Sequence, residues 1–267
     1  MRVRLNLLLG GTLIGFVLAM AALAAFWTPF SPIGVNLRRR LRPPSEMHWL
    51  GTDEFGRDVL SRLMAGAATS VSVALVTVVV ALVLGVLIGL LAGFFRGWAD
   101  RLLMAVNDAL LAFPGILLAL GLLAVIGPSK WGIVFALGIA YAPTVARVVR
   151  GSVLSLRERE FIEASRALGN SELYTLWRHV LPNCVSPLTV LATLMFGWVV
   201  LSESALSFLG LGIPPPAPSW GNMLAAARPH LESATWLSIA PGVMIALCLL
   251  GTNLLGDALR DLLDPRR

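Results

Sequence analysis

Residues 63–95 read LMAGAATSVSVALVTVVVALVLGVLIGLLAGFF, 33 residues without a charged side chain, bounded by Arg62 and Arg96. About 20 apolar residues carry a helix across the roughly 30 Å hydrocarbon core of a bilayer. A second charge-free run, 233–256, is 24 residues long. The whole chain has 267 residues, of which 57% are hydrophobic and only 13% charged, about half the charged share of a soluble domain. Mean hydropathy is +0.81. These figures exclude a disordered chain, a collagen-like fibre and a disulfide-rich secreted domain, and they argue against an ordinary soluble enzyme. A globule of this size cannot hide so much apolar side chain, so a second apolar solvent, the bilayer, is required.

The apolar runs on either side of it complete an all-α polytopic membrane protein with six transmembrane helices, at about 7–27, 69–95, 102–126, 131–149, 184–208 and 236–257. The first follows Arg2 and Arg4, and Ala22-Leu23-Ala24 resembles a cleavage site. Its apolar stretch is longer than the 7–15 residues usual in a signal peptide, so a retained helix is expected. Lys and Arg counts favour cytoplasmic N- and C-termini, with 13 basic residues inside and 8 outside. The run Arg38-Arg39-Arg40 with Arg42 opposes that bias, since it falls outside. Three hydrophilic stretches remain: an outer loop at 28–66, an inner loop at 150–183, and an outer loop at 209–235 that Pro214-Pro215-Pro216 and Pro218 make stiff and non-helical. The chain divides into 1–66, the first helix and its outer loop; 67–257, a five-helix block; and 258–267, a short cytoplasmic tail.

The inner loop holds the strongest local signal. Residues 157–183 read REREFIEASRALGNSELYTLWRHVLPN. Phe161, Ala164 and Leu168 fall on one helical stripe, and Leu173, Leu176, Trp177 and Val180 on another. Gly169 stands between them, as the residue that accepts a left-handed conformation past a helix end. Asn170 or Ser171 can cap the second helix, with Glu172 in its first turn, and Pro182 is expected to end it before the fifth span. Two short helices joined by a glycine turn therefore lie between two spans. Their apolar stripes need a cover, either the protein's own spans and the headgroup region or another protein.

Glu163-Ala164-Ser165, Gly169 and Leu181-Pro182 resemble the EAA loop of binding-protein-dependent ABC importer permeases. Ser165 stands where the general pattern has a second Ala, and His179-Val180 puts the aliphatic residue one place late. Further segments match in order. His48-Trp49-Leu50-Gly51-Thr52-Asp53 with Gly56-Arg57-Asp58, Asp108 with Phe113-Pro114-Gly115, Ser207–Gly212 with Pro218-Ser219-Trp220-Gly221, and Asn253–Asp257 with Leu259-Arg260-Asp261 and Leu263-Asp264-Pro265 are similar to the DppC/OppC type, the di- and oligopeptide and nickel permeases. The resemblance implies the type I ABC importer permease fold in a bacterial or archaeal cytoplasmic membrane. It implies one half of a translocation pathway, with a second homologous permease, two ATPase subunits and an extracytoplasmic solute-binding protein as partners. ATP and Mg would sit on the ATPase subunits, with no cofactor on this chain. Glu163, Ala164, Ser165, Leu168 and Gly169 would form the ATPase docking contact. Peptide is the expected cargo, with nickel or another small solute as the alternative.

Charged and polar groups inside the spans are costly in lipid and mark partners or pathways. Asp108 lies in the third span, where Arg101 or Arg147 can pair with it. Glu203 lies near the outer end of the fifth, among Ser202, Ser204 and Ser207. Asp108, Glu203 and Ser207 are the candidates for the translocation pathway. Pro114 and Pro143 are expected to kink spans three and four. Gly85, Gly89 and Gly93, spaced by four, permit close helix packing. Cys184 and Cys248 read as small buried hydrophobes. His48, His179 and His230 have no ligand spacing, no GxxxxGK[ST] loop exists, and the arginines flank apolar runs instead of forming a nucleic-acid face. Membrane lipid is thus a partner and nucleic acid is not. Two rivals come from other classes. A membrane-embedded enzyme would need Asp108 and Glu203 at one depth, and an ATP-independent channel subunit would need a selectivity filter.

Overall fold

Asp58 starts the longest helix. Its Oδ2 accepts the Ser61 backbone N–H at 2.8 Å and the Ser61 hydroxyl at 2.7 Å, which satisfies donors that the first turn leaves open. The helix, α2, runs Val59–Phe95, about 55 Å at 1.5 Å per residue. It begins ten residues before the expected 69. Arg62 does not end it, because its side chain folds inward onto the Pro32 carbonyl (3.1 Å) and Asp53 (3.4 Å).

The computed structural model describes residues 2–95 and 97–263, with the side chain of Arg2 excepted. Arg96, Arg266 and Arg267, counted above on the inner side, and Asp264 and Pro265 of the C-terminal match lie outside the described residues. Before α2 comes α1, Arg2–Ala24. After it come α3, Gly97–Leu111; α4, Gly115–Ile126; α5, Lys130–Leu156; α6, Glu160–Ala167; α7, Glu172–Thr175; α8, Leu181–Phe208; α9, Trp220–Ala227; and α10, Trp236–Leu263. Among the described residues there is no strand beyond one isolated bridge, Thr52 to Asp58. Five helices are long and apolar enough to cross a membrane, and the bent α3–α4 pair makes a sixth if it is one span.

The tightest seam joins α2 to α5. A methyl group added at Gly89 would lie 2.6 Å from the Ala146 carbonyl oxygen, and one at Gly93 2.9 Å from the Val153 Cβ. Gly85 meets Val145 in the same way. The three glycines therefore bring two backbones into contact, as their spacing suggested. On the other flank α1 lies against α10, where Gly10 meets the backbone of Gly251 and Leu255.

Three expectations about helix ends are corrected. The third span is broken, not merely kinked: α3 and α4 meet at 91°. Pro114 (φ −54°, ψ 128°) is extended and offers no N–H to continue α3. The fourth span does not stop near 149. It continues through Arg150 to Leu156, because Arg150 is neutralised by Asp100 of α3. Pro182 does not end the second loop helix. One wide turn of π-helix, Leu176–Val180, connects α7 to α8 without a break. Pro182 follows directly on that turn, at the start of α8. The His179 carbonyl is taken up by the Asn183 side chain at 2.7 Å. The outer 209–235 stretch also contains a helix of its own, α9, capped reciprocally by Ser219 and Asn222.

Candidate functional site

The loop 157–183 is a rigid corner. Helix α6 ends with Gly169 at φ +79°. The Gly169 N–H donates to the Arg166 carbonyl at 2.9 Å and the Asn170 N–H to the Ser165 carbonyl at 3.2 Å. This is the paired closure of a Schellman turn, which a glycine at that point permits. Ser171 then caps α7, accepting the Tyr174 N–H at 3.2 Å. Side chains bolt the two arms together. The Ser165 and Thr175 hydroxyls are 3.0 Å apart, Asn170 Nδ2 donates to Ser165 at 3.2 Å, and Arg166 lies 3.0 Å from Glu172. The corner is fixed to the spans by Arg157, which donates to the Phe94 carbonyl at the end of α2 (3.1 Å).

That locking divides the loop into two faces. Ile162, Ser165, Thr175, Leu176 and Val180 are buried. Phe161, Leu168, Leu173, Tyr174 and Trp177 are exposed, Leu168 at 81%. Glu163, Ala164 and Gly169 share the exposed side. Ser165, grouped from sequence with the docking contact, is turned inward instead, because its hydroxyl finds Thr175 and Asn170 there. The stripe of Leu173, Leu176, Trp177 and Val180 is split in the same way, since the π turn rotates Leu176 and Val180 under the corner.

A second cluster lies about 33 Å along α8, at 1.5 Å per residue from Leu181. Glu203 is 1% exposed. Its Oε1 accepts the Ser207 hydroxyl at 2.8 Å and the Ser219 hydroxyl at 2.9 Å, while Oε2 has no hydrogen-bond partner. Trp220, fully buried, donates its indole N–H to the Leu63 carbonyl at 3.1 Å and its backbone N–H to Ser70 at 3.2 Å. Glu203 and Ser207 thus hold α9 against α2 and α8. The sequence carries no local signal for this, since Ser219 is 16 residues from Glu203 and Trp220 is 157 from Leu63.

Asp108 is not near Glu203. It pairs with Arg147 at 2.6 Å, one of the two partners expected, and both side chains are more than half exposed. Its neighbour Asn107 is buried and donates to the Pro143 carbonyl at 3.3 Å. Asp100, which the sequence reading passed over, takes both Nε and Nη2 of Arg150 at 2.6 and 2.8 Å. Two ion pairs therefore clamp α3 to α5. The three histidines stay apart: His48 bonds Asp58 at 2.8 Å and His230 bonds Glu54 at 3.3 Å, while His179 stacks edge-on with Phe161 and Tyr174. Cys184 and Cys248 are buried and free.

The fold is similar to that of a chain in inward-facing structures of the MetNI methionine ABC transporter, with a TM-score of 0.63 at 19% identity, covering 76% of this chain and 96% of that one. The dipeptide transport system permease protein DppC of Alkalihalophilus pseudofirmus is 42% identical over 97% of this chain and 85% of its own length. The glutathione transport system permease protein GsiD of Escherichia coli is 45% identical over 84% of this chain and 74% of its own. Residues 85–267, which include α5, the locked corner and Glu203 with Ser207 and Ser219, match the family described as the binding-protein-dependent transport system inner membrane component. The chain belongs to that family of membrane permeases.

Proposed function

We propose that the chain is one half of the translocation pathway of an ATP-driven importer for short peptides. The names of its relatives, dipeptide and glutathione permeases, support the cargo class. In this reading a second permease completes the pathway and a solute-binding protein delivers the peptide from the outer side. Two ATPase subunits hold ATP and Mg and dock on the corner of α6 and α7. Both termini are cytoplasmic.

The observation that carries the reading is the locked corner with its exposed apolar face. A surface that was only packing on the protein's own spans would turn Phe161, Leu168 and Trp177 inward, whereas all three face away. The corner is stiff, so a partner that moves it moves α5 and α8 with it. The unbroken helix from Glu172 to Phe208 supports such transmission, because it joins the docking face to the Glu203 cluster as one rod. Closure of the ATPase pair on ATP would swing the corner and open the pathway outward, and hydrolysis would return it.

The test is Gly169→Pro in the intact transporter. Proline fixes φ near −65° and removes the N–H that bonds Arg166. Peptide uptake is expected to fall below a tenth of normal while the chain still reaches the membrane. Uptake at the normal rate would refute the docking role. A tag at the C-terminus should recover a second permease and ATPase subunits from native membranes, and the solute-binding protein encoded with them is then the chain to assay for peptide.

A further inference from the structure

The loop between α1 and α2 carries a cationic and aromatic surface that the transport reading leaves unused. It is ordered: Phe30 N–H donates to Ser61 (2.9 Å), Asn36 N–H to the Phe55 carbonyl (3.0 Å), Leu41 N–H to the Asp53 carbonyl (3.0 Å), and Thr52 N–H to the Arg42 carbonyl (2.9 Å). The arginine run is therefore laid across a fixed turn at the start of α2. Arg39 is half-buried against Met47 and His48. Arg38, Arg40 and Arg42 are exposed, and among the described residues none pairs with a carboxylate. The acids around them are engaged elsewhere, Asp53 by Arg57 and Arg62, Asp58 by His48 and Ser61, Glu54 by His230. Glu46 makes no ion pair with them.

The same loop exposes large apolar side chains. Phe26 is 90% exposed and Trp49 69%, with Trp27, Leu37 and Met47 also open. Phe26 and Trp27 follow directly on the end of α1 at Ala24, where the chain leaves the hydrocarbon. Tryptophan at that depth prefers the interface, and arginine there reaches phosphate. A soluble partner that docks and leaves would expose these apolar side chains to water in each cycle. A membrane surface covers them throughout, and only an anionic one offers charge to match the arginines.

We propose that Arg38, Arg40 and Arg42 form a binding surface for anionic phospholipid headgroups at the membrane face where α1 emerges. In the topology given under Proposed function this is the outer leaflet. The surface lies where α1 ends whichever leaflet that is, so the test does not depend on transport. It also explains why a basic cluster is kept on the side that charge bias disfavours.

The intact transporter, purified and placed in bilayer discs of mixed phosphatidylglycerol and phosphatidylcholine, should enrich phosphatidylglycerol around itself, as read by mass spectrometry of retained lipid. The variant R38Q/R40Q/R42Q should lower that preference by up to about a hundredfold, since each arginine near an anionic surface contributes about fivefold. R38K/R40K/R42K should keep most of it. Raising salt from about 0.1 M to about 1 M, which shrinks the Debye length from about 10 Å to about 3 Å, should weaken it in the unaltered protein. Equal lipid retention by the wild type and the glutamine variant overturns the proposal. So does a variant that keeps its phosphatidylglycerol but no longer captures the solute-binding protein, which would assign the arginines to that partner. Should the glutamine variant fail to assemble, the salt series decides: a preference unmoved by salt refutes the surface.

Discussion

The two ends of α8 solve opposite problems. At the Glu203 end, every strong group is answered from within the chain except one carboxylate oxygen. Ser207, Ser219, Ser70 and Trp220 close over it, and α9 is drawn down onto α2. At the Leu181 end, polar groups also close on one another, through Ser165, Thr175 and Asn170. There the result differs: the small polar side chains go inside with Ile162, Leu176 and Val180, and five large apolar or aromatic ones stay out. A corner held by hydroxyls, a glycine turn and the buried Ile162, Leu176 and Val180 leaves Phe161, Leu168 and Trp177 free for another molecule. The difference separates a region complete in itself from one built to be completed.

The outer end depends most on Glu203. Glu203→Ala removes the common acceptor of two buried hydroxyls, and the loss should be about 3 kcal/mol, the cost of orphaned buried partners. Thermal unfolding in membranes would read it as a lowered midpoint, with α9 becoming the first segment cut by protease. Glu203→Gln keeps an acceptor for both serines and should lose far less. If both variants unfold like the wild type but fail in peptide uptake, Glu203 belongs to the pathway and the outer end is not self-contained.

Between the two ends runs the α2–α5 seam, and damage there should loosen both. Gly89→Ala puts a methyl 2.6 Å from a backbone carbonyl that has no room to retreat. Overpacking of this kind costs about 1–3 kcal/mol. The unfolding midpoint should fall by less than for Glu203→Ala, and protease should reach the corner and α9 alike. Cleavage confined to one end would show that the seam does not couple them.

What could be read from the residues was whatever is decided locally. Gly169 announced a turn because a left-handed position excludes most other residues, and the Ser171 cap follows from the next residues alone. The glycine triplet announced its seam by spacing. The hidden parts depend on distant partners. Arg62 looked like the end of an apolar run, and only Asp53 and the Pro32 carbonyl make it an interior residue. Pro182 looked like a stop, and only the π turn before it lets the helix pass. Phe113-Pro114 signals a kink, and the 91° break there goes further; the ties of Asp100, Asn107 and Asp108 from α3 to α5 have no local signal in the sequence. Ser165 matches the docking pattern by size, while its hydroxyl turns it inward to Thr175. The transport role itself was legible through family resemblance and not through composition, which led only as far as a helical bundle in a membrane.

The smallest expected change in stability is also the most telling, since it falls on the face that the comparison says is unfinished. Leu168 is 81% exposed and makes no buried contact to lose. Leu168→Asp should therefore move the unfolding midpoint of the chain within the range of ordinary surface substitutions, about 0.5 kcal/mol. Ile162→Asp, six positions earlier on the buried face of the same helix, places a charge under the corner and should prevent stable folding. If Leu168 is an anchor for a partner, its loss should weaken capture of the ATPase subunits by roughly ten- to a hundredfold, the effect of removing one central apolar contact. A chain that is as stable as before, is inserted in the membrane and yet fails to hold its ATPase can only have lost something outside itself. Undiminished capture by Leu168→Asp would mean that the exposed stripe is lipid-facing surface after all, and the contrast between the two ends of α8 would be one of packing alone.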